Sequence, residues 1–448
     1  TGTKTVNAIN GVATFTDLGK TGVVLGQKTL SFASTGLTGA SQAAFTMTHG
    51  AAYRIQTTSG SNGVLSVMRG NRQSGQLFGG QPQVAIVDQD GNLVNTGAES
   101  TQTVTVTADA SGLSGTTTVA AVGGLATYSN LAMTAVSGNY VMTFTANTSG
   151  STGTMPFDIW WGAPAQLVLS TQAAGFVNRT NFTTQPVITV QDSMGNTVQD
   201  STISIDVTID SGTLTGTTQV RAVNGVATFA GLGKNGLVGL KTLTFRKTGG
   251  GLTAPTQQFT LTYGAVDHLN LAVANSLAND TAWATQPVVT IQDADNNTVD
   301  VNSTVTLTAT GATTVALGGT TSMDAVNGVA NFTGKGVKLT GLTGSKTLTA
   351  SIAAPSNFSV DATITLGYGQ ATKLALTTDP AGFVNRTNFT TQPVVTVQDV
   401  SGNTVGNSSI SVDVSIDSGA LTGTTRVRAV NGVATFAGLG KTGTIGDK

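Results

Sequence analysis

Val223-Asn224-Gly225-Val226-Ala227-Thr228-Phe229 is the stretch that decides the fold of this 448-residue chain. An Asn-Gly pair between apolar β-formers is the strongest short-range signal for a β-hairpin, because a type I′ turn needs positive φ at both central residues. The stretch also recurs, and internal repetition at a long, regular interval indicates an array of similar units. Its other copies lie at 9–15, 326–332, 430–436 and, in more divergent form, 122–128.

The interval between copies divides the chain into modules. Asn431 lies 207 positions after Asn224, and the same interval relates residues 392–394 to residues 185–187, so two modules form one larger repeat. Glycine-based motifs mark the predicted boundaries: His49-Gly50, Trp161-Gly162, Tyr263-Gly264 and Tyr368-Gly369. The whole modules have the length of an immunoglobulin-like sandwich. We name the units in chain order: module I (1–49, the C-terminal part of a module), module II (50–161), module III (162–263), module IV (264–368) and module V (369–448, the N-terminal part of a module).

Alternating apolar and polar residues predict short strands within each module. Ile203, Ile205, Val207 and Ile209 alternate with polar residues, which buries one face of a strand. The chain is rich in Thr, Val, Ser, Gly and Asn, and Glu99 is its only glutamate. This composition favours strands and turns over helices. The predicted fold is therefore all-β, a tandem array of immunoglobulin-like β-sandwiches. Very short linkers predict an elongated, semi-rigid rod on the order of 150 Å long.

Composition excludes several classes of function. Charged residues make up 10% of the chain and the net charge is −1, so no basic field attracts nucleic acid or an anionic membrane. No apolar run approaches the length of a membrane span. The chain has no cysteine, and its two histidines, His49 and His268, lack the spacing of a metal site or a catalytic triad. We predict no catalytic residue and no enzymatic activity.

Alternating aspartates make calcium the one candidate cofactor of this chain. Asp88 and Asp90, and likewise Asp293 and Asp295, place carboxylates at alternate positions of a short polar segment, which is the pattern that hard cations prefer. Asp and Asn also form turns by bonding to nearby backbone groups, without any ion. Both interpretations stay open, and Asp88, Asp90, Asp293 and Asp295 are the candidate calcium ligands.

Tryptophans offer a second candidate binding feature. Trp160, Trp161 and Trp283 are the only three in the chain, and together they would provide a platform on which sugars stack. Trp160 and Trp161 end a module, so packing at the module junction is the simpler interpretation.

Two phrases resemble a known family. Residues 187–198 and 394–405 both read Val-x-Thr-Val-Gln-Asp-x-x-Gly-Asn-x-Val, and this pattern together with Asn-Gly-Val-Ala-Thr-Phe resembles the immunoglobulin-like repeats of invasin- and intimin-type bacterial surface proteins. The resemblance implies an extracellular protein at the cell surface, acting as a stalk or as a building block of a fibre or surface layer. The alternative that it implies is an adhesin array, which binds a host or cell-surface receptor or glycan through exposed loops.

The two ends of the chain overlap in content. Residues 1–28 match residues 422–448, and the simplest interpretation is a window taken from a longer repetitive protein. A sharper hypothesis is that one subunit's end completes the open module of the next by strand addition. The predicted partner is therefore another copy of the chain, in a homopolymer with head-to-tail or lateral contacts.

Overall fold

The computed structural model describes residues 1–23, 26–58 and 70–444, so residues 24–25 of module I, 59–69 of module II and 445–448 of module V lie outside it. The described residues form β-strands and one 3-10 helix, Ala98–Thr101, and contain no α-helix. The strands pair into small sheets within each module. The predicted all-β fold of tandem immunoglobulin-like sandwiches is confirmed. Within the described ranges, no helix has the length and apolar character needed to cross a membrane.

Module III illustrates the sandwich best. Its first sheet has three strands, in the order Gln166–Thr171, Val187–Gln191 and Val226–Thr228. Its second sheet has four strands, in the order Gln219–Arg221, Ser204–Ile209, Gly239–Lys247 and Thr256–Leu261. A short pair, Thr213–Thr215 with Gly233–Asn235, lies beside them.

Modules II and IV repeat this plan. In module II the described strands form a three-stranded sheet, in the order Leu125–Thr127, Gln83–Val87 and Arg54–Gln56. They also form a four-stranded sheet, in the order Thr152–Ile159, Gly138–Ala146, Thr103–Ala108 and Thr118–Ala120. A short pair joins Ala132–Met133 to Leu113–Ser114. In module IV the three-stranded sheet has the order His268–Ala272, Val288–Gln292 and Val329–Asn331. The second sheet has five strands, in the order Ser276–Ala278, Phe358–Gly367, Gly344–Ile352, Thr304–Gly311 and Ser322–Asp324. A short pair joins Val315–Gly318 to Lys338–Gly341. Ser276–Ala278 is an added strand that runs parallel to Phe358–Gly367.

Modules I and V contain complementary parts of the same sandwich. Module V has Lys373–Thr378, Val394–Gln398 and Val433–Thr435 in one sheet, and the pairs Ser411–Asp413 with Arg426–Arg428 and Ala420–Thr422 with Gly440–Thr442. Module I has the pairs Gln27–Lys28 with Phe45–Thr46 and Ser31–Phe32 with Ala40–Ser41.

Each whole module has its own hydrophobic core between its two main sheets. In module III, Phe229 follows the last strand of the first sheet and Phe245 lies on the second sheet, and their ring centroids are 5.6 Å apart. Both side chains are 1% exposed or less. The buried apolar side chains of modules II, III and IV form separate clusters, so burial of apolar surface stabilises each module independently.

The Asn-Gly turn forms a hairpin, but not between neighbouring strands of one sheet. φ is 51° at Asn224 and 76° at Gly225, as a type I′ turn requires. The strand before the turn belongs to the four-stranded sheet, however, and the strand after it belongs to the three-stranded sheet. Ala222 and Ala227 are both buried in the core between the sheets, and this draws the two segments onto opposite layers. A tight hairpin therefore forms at the turn itself, where Val223 pairs with Val226, but the strands that flank it belong to different sheets, so the turn also connects the two sheets.

Candidate functional site at the module junctions

The polar side chains that connect the modules form the candidate site. Connections between modules are short: the last strand of module III, Thr256–Leu261, is followed by the first strand of module IV, His268–Ala272. Each junction contains a boundary glycine and a five-residue loop that follows the middle strand of the next module's three-stranded sheet. We call these loops the junction loops: 88–92, 192–196, 293–297 and 399–403.

A buried aspartate organises each junction loop. Asp293 is 1% exposed. Its Oδ1 accepts hydrogen bonds from the backbone N–H groups of Asp295 and Asn297, both at 3.0 Å. Its Oδ2 accepts one from the boundary residue Gly264 at 2.9 Å. The same bond from the boundary glycine recurs at the other junctions, from Gly50 to Asp88, Gly162 to Asp192 and Gly369 to Asp399.

The asparagine that ends the junction loop bonds to the preceding module. Asn297 donates from Nδ2 to the carbonyl of Gly236 at 3.1 Å and accepts at Oδ1 from the N–H of Val238 at 2.9 Å. Asn403 makes the equivalent pair with Gly341 and Thr343, at 2.9 and 2.8 Å. One amide thus satisfies a donor and an acceptor of the neighbouring module's backbone, which fixes orientation as well as distance.

A second asparagine contacts the junction from the opposite side. Asn178 of module III is 1% exposed, and its Nδ2 donates to Asp293 at 2.8 Å and to Asp295 at 2.9 Å. Asn279 of module IV, also 1% exposed, donates to Asp399 at 2.8 Å and to the Ser401 hydroxyl at 2.9 Å. These two junctions therefore have a reciprocal clamp, in which each module inserts an asparagine into its neighbour.

Ser74 replaces the second asparagine at the junction between modules II and III. It lies four positions before Phe78, as Asn178 lies four positions before Phe182. Its hydroxyl donates to the carbonyl of Ala135 within module II. Among the described residues, this junction therefore keeps the contacts of Asp192 and Asn196 and lacks the second half of the clamp.

Charge distinguishes the junction between modules III and IV from the next one. Arg179 donates from Nε to Asp295 Oδ2 at 2.8 Å and from Nη2 to Oδ1 at 3.0 Å, which is the bidentate geometry that strengthens an ion pair. At the following junction Asp280 stands in the place of Arg179 and Ser401 in the place of Asp295. Asp280 pairs with Lys338 of its own module, so among the described residues no ion pair joins the two modules at that junction.

Hydrogen bonding keeps the junction carboxylates ionised. Burial by itself would raise the pKa of Asp293, but the N–H of Gly264 and the amides of Asn297 and Asn178 outweigh it and hold that pKa below its usual range. Asp88, Asp192 and Asp399 follow the same pattern, since burial is again outweighed by N–H donors. The Arg179 guanidinium lowers the pKa of Asp295 to about 2.

These shifts predict that the junctions weaken in acid. A carboxyl whose pKa is lower in the folded than in the unfolded state stabilises the fold fully above its unfolded value, here 3.8, and loses that contribution as pH falls through the folded value. We expect the melting temperature to fall steeply between about pH 4 and pH 2. Asp295→Asn should flatten this slope, as measured by thermal melts across that range. An identical slope in the variant would contradict the assignment.

The calcium candidates lie at two of these junctions. Asp88 and Asp90 belong to the loop between modules I and II, and Asp293 and Asp295 to the loop between modules III and IV. Three backbone N–H groups and two side-chain amides already donate to the Asp293 carboxylate, so an ion would have to displace them. No cluster of three or more His, Cys, Asp or Glu side chains suited to a metal occurs in the described ranges. The calcium site remains a prediction.

Chelation tests the calcium prediction. A bound ion stabilises the folded state by mass action, so calcium would raise the melting temperature and EGTA would lower it. Because hydrogen-bond donors surround Asp293, we expect no change with EGTA in a thermal melt at neutral pH. A drop that Asp293→Asn abolishes would instead support calcium at this junction.

The tryptophans do not form one platform. Trp283 is 4% exposed within the core of module IV. Trp161 donates from its indole N–H to Asp200 at 2.9 Å and packs on the core of module III. Trp160 is 42% exposed, with the Arg72 guanidinium 5.1 Å from its ring centroid.

Known proteins provide a comparison for the whole chain. No protein-family model matches it, and no curated protein matches it. Among solved structures it is similar to invasin, a bacterial integrin-binding protein, with 14% identity and a TM-score of 0.29 over 85% of this chain and 73% of invasin. It is similar to InvD of Yersinia pseudotuberculosis, with 18% identity and a TM-score of 0.33 over 67% of this chain and 96% of InvD. A third is FdeC, an adhesin of Escherichia coli, with 14% identity and a TM-score of 0.32 over 72% of this chain and 100% of FdeC.

Invasin, which belongs to the kind of protein that the sequence motifs resemble, is thus among the solved structures to which the chain is similar. At these identities the likeness concerns the fold alone. The assignment of the fold rests on the strand pairing described above.

Proposed function

We propose that this chain is a non-enzymatic structural repeat protein of the extracellular cell surface. It acts as a semi-rigid stalk, or as a building block of a fibre or surface layer, made of tandem immunoglobulin-like domains. The observation that carries the proposal is the reciprocal asparagine clamp at the last two junctions. A stalk holds one end at a set distance and direction from the other, and this requires junctions at which neighbouring modules have a preferred orientation.

The energetics of the clamp support this role. Inter-domain contacts that are small and polar usually leave domains free to move relative to one another. Here the contacts are buried: Asn178, Asp293 and Asn279 are each 1% exposed. Their hydrogen bonds are made away from water and include charged acceptors, which are the stronger kind. Bending the junction between modules III and IV would break several of these bonds together.

Small-angle X-ray scattering of the full chain tests the proposal. We expect a maximum dimension on the order of 150 Å and a cross-section of one sandwich. Those values should persist at about 1 M NaCl, because the buried clamp is screened much less than exposed pairs are. A scattering profile typical of flexibly linked domains with many relative orientations would contradict the proposal of a semi-rigid stalk.

Trp160 favours a second candidate, an adhesin that binds a cell-surface glycan. Its ring is exposed, while its indole N–H is satisfied by Asp158 at 2.5 Å, so the side chain is held in place. A fixed, exposed aromatic ring is suited to stacking on a sugar. Quenching of tryptophan fluorescence by a glycan panel, lost in Trp160→Ala, would support this function. If no glycan in the panel changed the tryptophan fluorescence, glycan binding at Trp160 would be contradicted.

A further inference from the structure

Module IV has a groove at one end of its five-stranded sheet. The groove has a volume of about 370 Å³ and lies between the first residues of the strand Thr304–Gly311 and the loop 353–357. All of its lining residues belong to module IV, and none belongs to a junction loop. A cleft of this volume has room for one small molecule, or for one unit of a larger molecule.

A row of hydroxyl groups forms one part of the lining. Thr306, Ser351 and Ser359 are cross-strand neighbours, and Ser322 continues the row on the edge strand. Their side chains therefore lie side by side on one face of the sheet, on strands that are about 4.8 Å apart. The hydroxyls of Thr306 and Ser322 are 3.2 Å apart and bond to each other. The Ser359 hydroxyl is exposed and has no hydrogen-bond partner among the described residues.

Apolar side chains form the rest of the lining. Ile352 pairs with Phe358, one position beyond the pair formed by Ser351 and Ser359. Because side chains alternate between the faces of a sheet, Ile352 and Phe358 point toward the core. Ile352 is 3% exposed, whereas Phe358 is half-buried and reaches the groove. The groove therefore offers hydroxyl groups and an aromatic ring to the same ligand.

The loop that borders the groove is held in place and carries an unused amide. The carbonyl of Ala354 accepts a hydrogen bond at 2.6 Å from the hydroxyl of Ser303, which is 7% exposed. Asn357 ends the loop; its side chain is exposed and has no hydrogen-bond partner among the described residues. An anchored loop with a free donor and a free acceptor is preorganised for a polar ligand.

Modules II and III use the equivalent groups internally. In module II, the backbone N–H of Ser149, in the corresponding loop, donates to Gln102 Oε1 at 3.0 Å. In module III, Asp206 and Arg246 form the cross-strand pair that corresponds to Thr306 and Ser351. Gln219 donates to that Asp206 at 2.6 Å. The row of module IV differs because its hydroxyl groups are uncharged and partly free.

The absence of charge among the lining residues selects the ligand. No charged side chain lines the groove, and the carboxylate of the neighbouring Asp324 accepts a hydrogen bond from Thr304. A charged ligand would lose water here without gaining an ionic partner, which is unfavourable. A pyranose ring combines hydroxyl groups around its rim with an apolar face of C–H groups, and such a face packs on an aromatic side chain.

We propose that the groove of module IV binds a neutral pyranose sugar. The Asn357 amide and the hydroxyls of Ser351 and Ser359 bond to the sugar hydroxyls, and Phe358 contacts the C–H face of the ring. The dissociation constant for a single sugar is expected on the order of 1 mM, because few polar groups engage a small ligand. The site is separate from the module junctions and from Trp160, and it does not depend on the proposed stalk.

Saturation-transfer difference NMR of the full chain tests the site, with the methyl glycosides of glucose, galactose, mannose and N-acetylglucosamine as probes. We expect saturable transfer to at least one of them, and Asn357→Ala and Ser359→Ala should each weaken binding by about fivefold or more. Ser351→Arg should abolish binding, since it places in the groove the side chain that Arg246 provides in module III. Thr363→Ala, an exposed hydroxyl on the same strand as Ser359, is the matched control and should change nothing.

Three outcomes would overturn the proposal: no transfer to any probe at ~10 mM, equal binding by Ser351→Arg and Thr363→Ala, or binding that Trp160→Ala abolishes. Circular dichroism melts check that each variant folds. If Ser351→Arg unfolds, the exposed Asn357 decides, and full binding by Asn357→Ala would then refute the site. Scattering on the same samples separates this from the proposed function. A rigid chain that binds no sugar would keep the stalk and lose the site, and a flexible chain that binds sugar in the groove would do the reverse.

Discussion

Replacing Asp293 with alanine is expected to lower the free energy of unfolding of module IV by about 3–5 kcal/mol. The carboxylate is 1% exposed and accepts hydrogen bonds from Gly264, Asp295, Asn297 and Asn178. Alanine leaves these donors without a partner in a buried site, and that costs more than any single bond contributes. Urea unfolding of the full chain, followed module by module, measures the loss.

Asp361→Ala is the matched control for this prediction. Asp361 is exposed in the same module and accepts one hydrogen bond from Thr349 at 2.6 Å. An exposed site of this kind should change stability by no more than about 0.5 kcal/mol. If the two variants lost equal stability, the buried aspartate would not organise the junction.

Phe245→Ala is expected to destabilise module III by about 3–5 kcal/mol and to leave the other modules nearly unchanged. The ring is 0% exposed and spans the space between the sheets to reach Phe229. Because the cores are separate clusters, the cavity left by alanine affects one core only. Differential scanning calorimetry should show one transition moving to lower temperature.

Phe383→Ala provides the comparison at the equivalent face of module V. Phe383 is 69% exposed, so its removal should cost the monomer no more than about 0.5 kcal/mol. A uniform shift of every transition in Phe245→Ala would show that the chain unfolds as one unit and that the module cores are not independent.

The fold was largely predictable because its signals are local. Asn224 and Gly225 both have positive φ, as the turn chemistry predicts, and Ile205 and Val207 are buried, as the period-2 pattern predicts. The change of sheet at the same turn was not predictable from these residues. The sheet that each flanking segment joins depends on how side chains pack across the whole module, which the residues of the turn do not determine.

The candidate site was predicted only in part. The alternation of Asp293 and Asp295 marks this junction loop as polar, but the same alternation suits both a bound ion and a set of hydrogen-bond donors. Asn178 was missed because its partner lies 115 positions away, and an asparagine in a Gly-rich segment is typical of a turn. One usable signal was present: the segment 175–182, which contains Asn178, recurs unchanged at 382–389. Repetition of a whole polar loop indicates a shared contact more than a shared turn.

If the clamp fixes the orientation of module IV relative to module III, the angle between the two modules has one preferred value. Electron microscopy of the full chain, with particles classified by the angle between these two modules, tests it most directly. We expect one narrow distribution of angles in the wild-type chain and a broad one in Asp293→Ala. A distribution in the wild type as broad as that in the variant would contradict it.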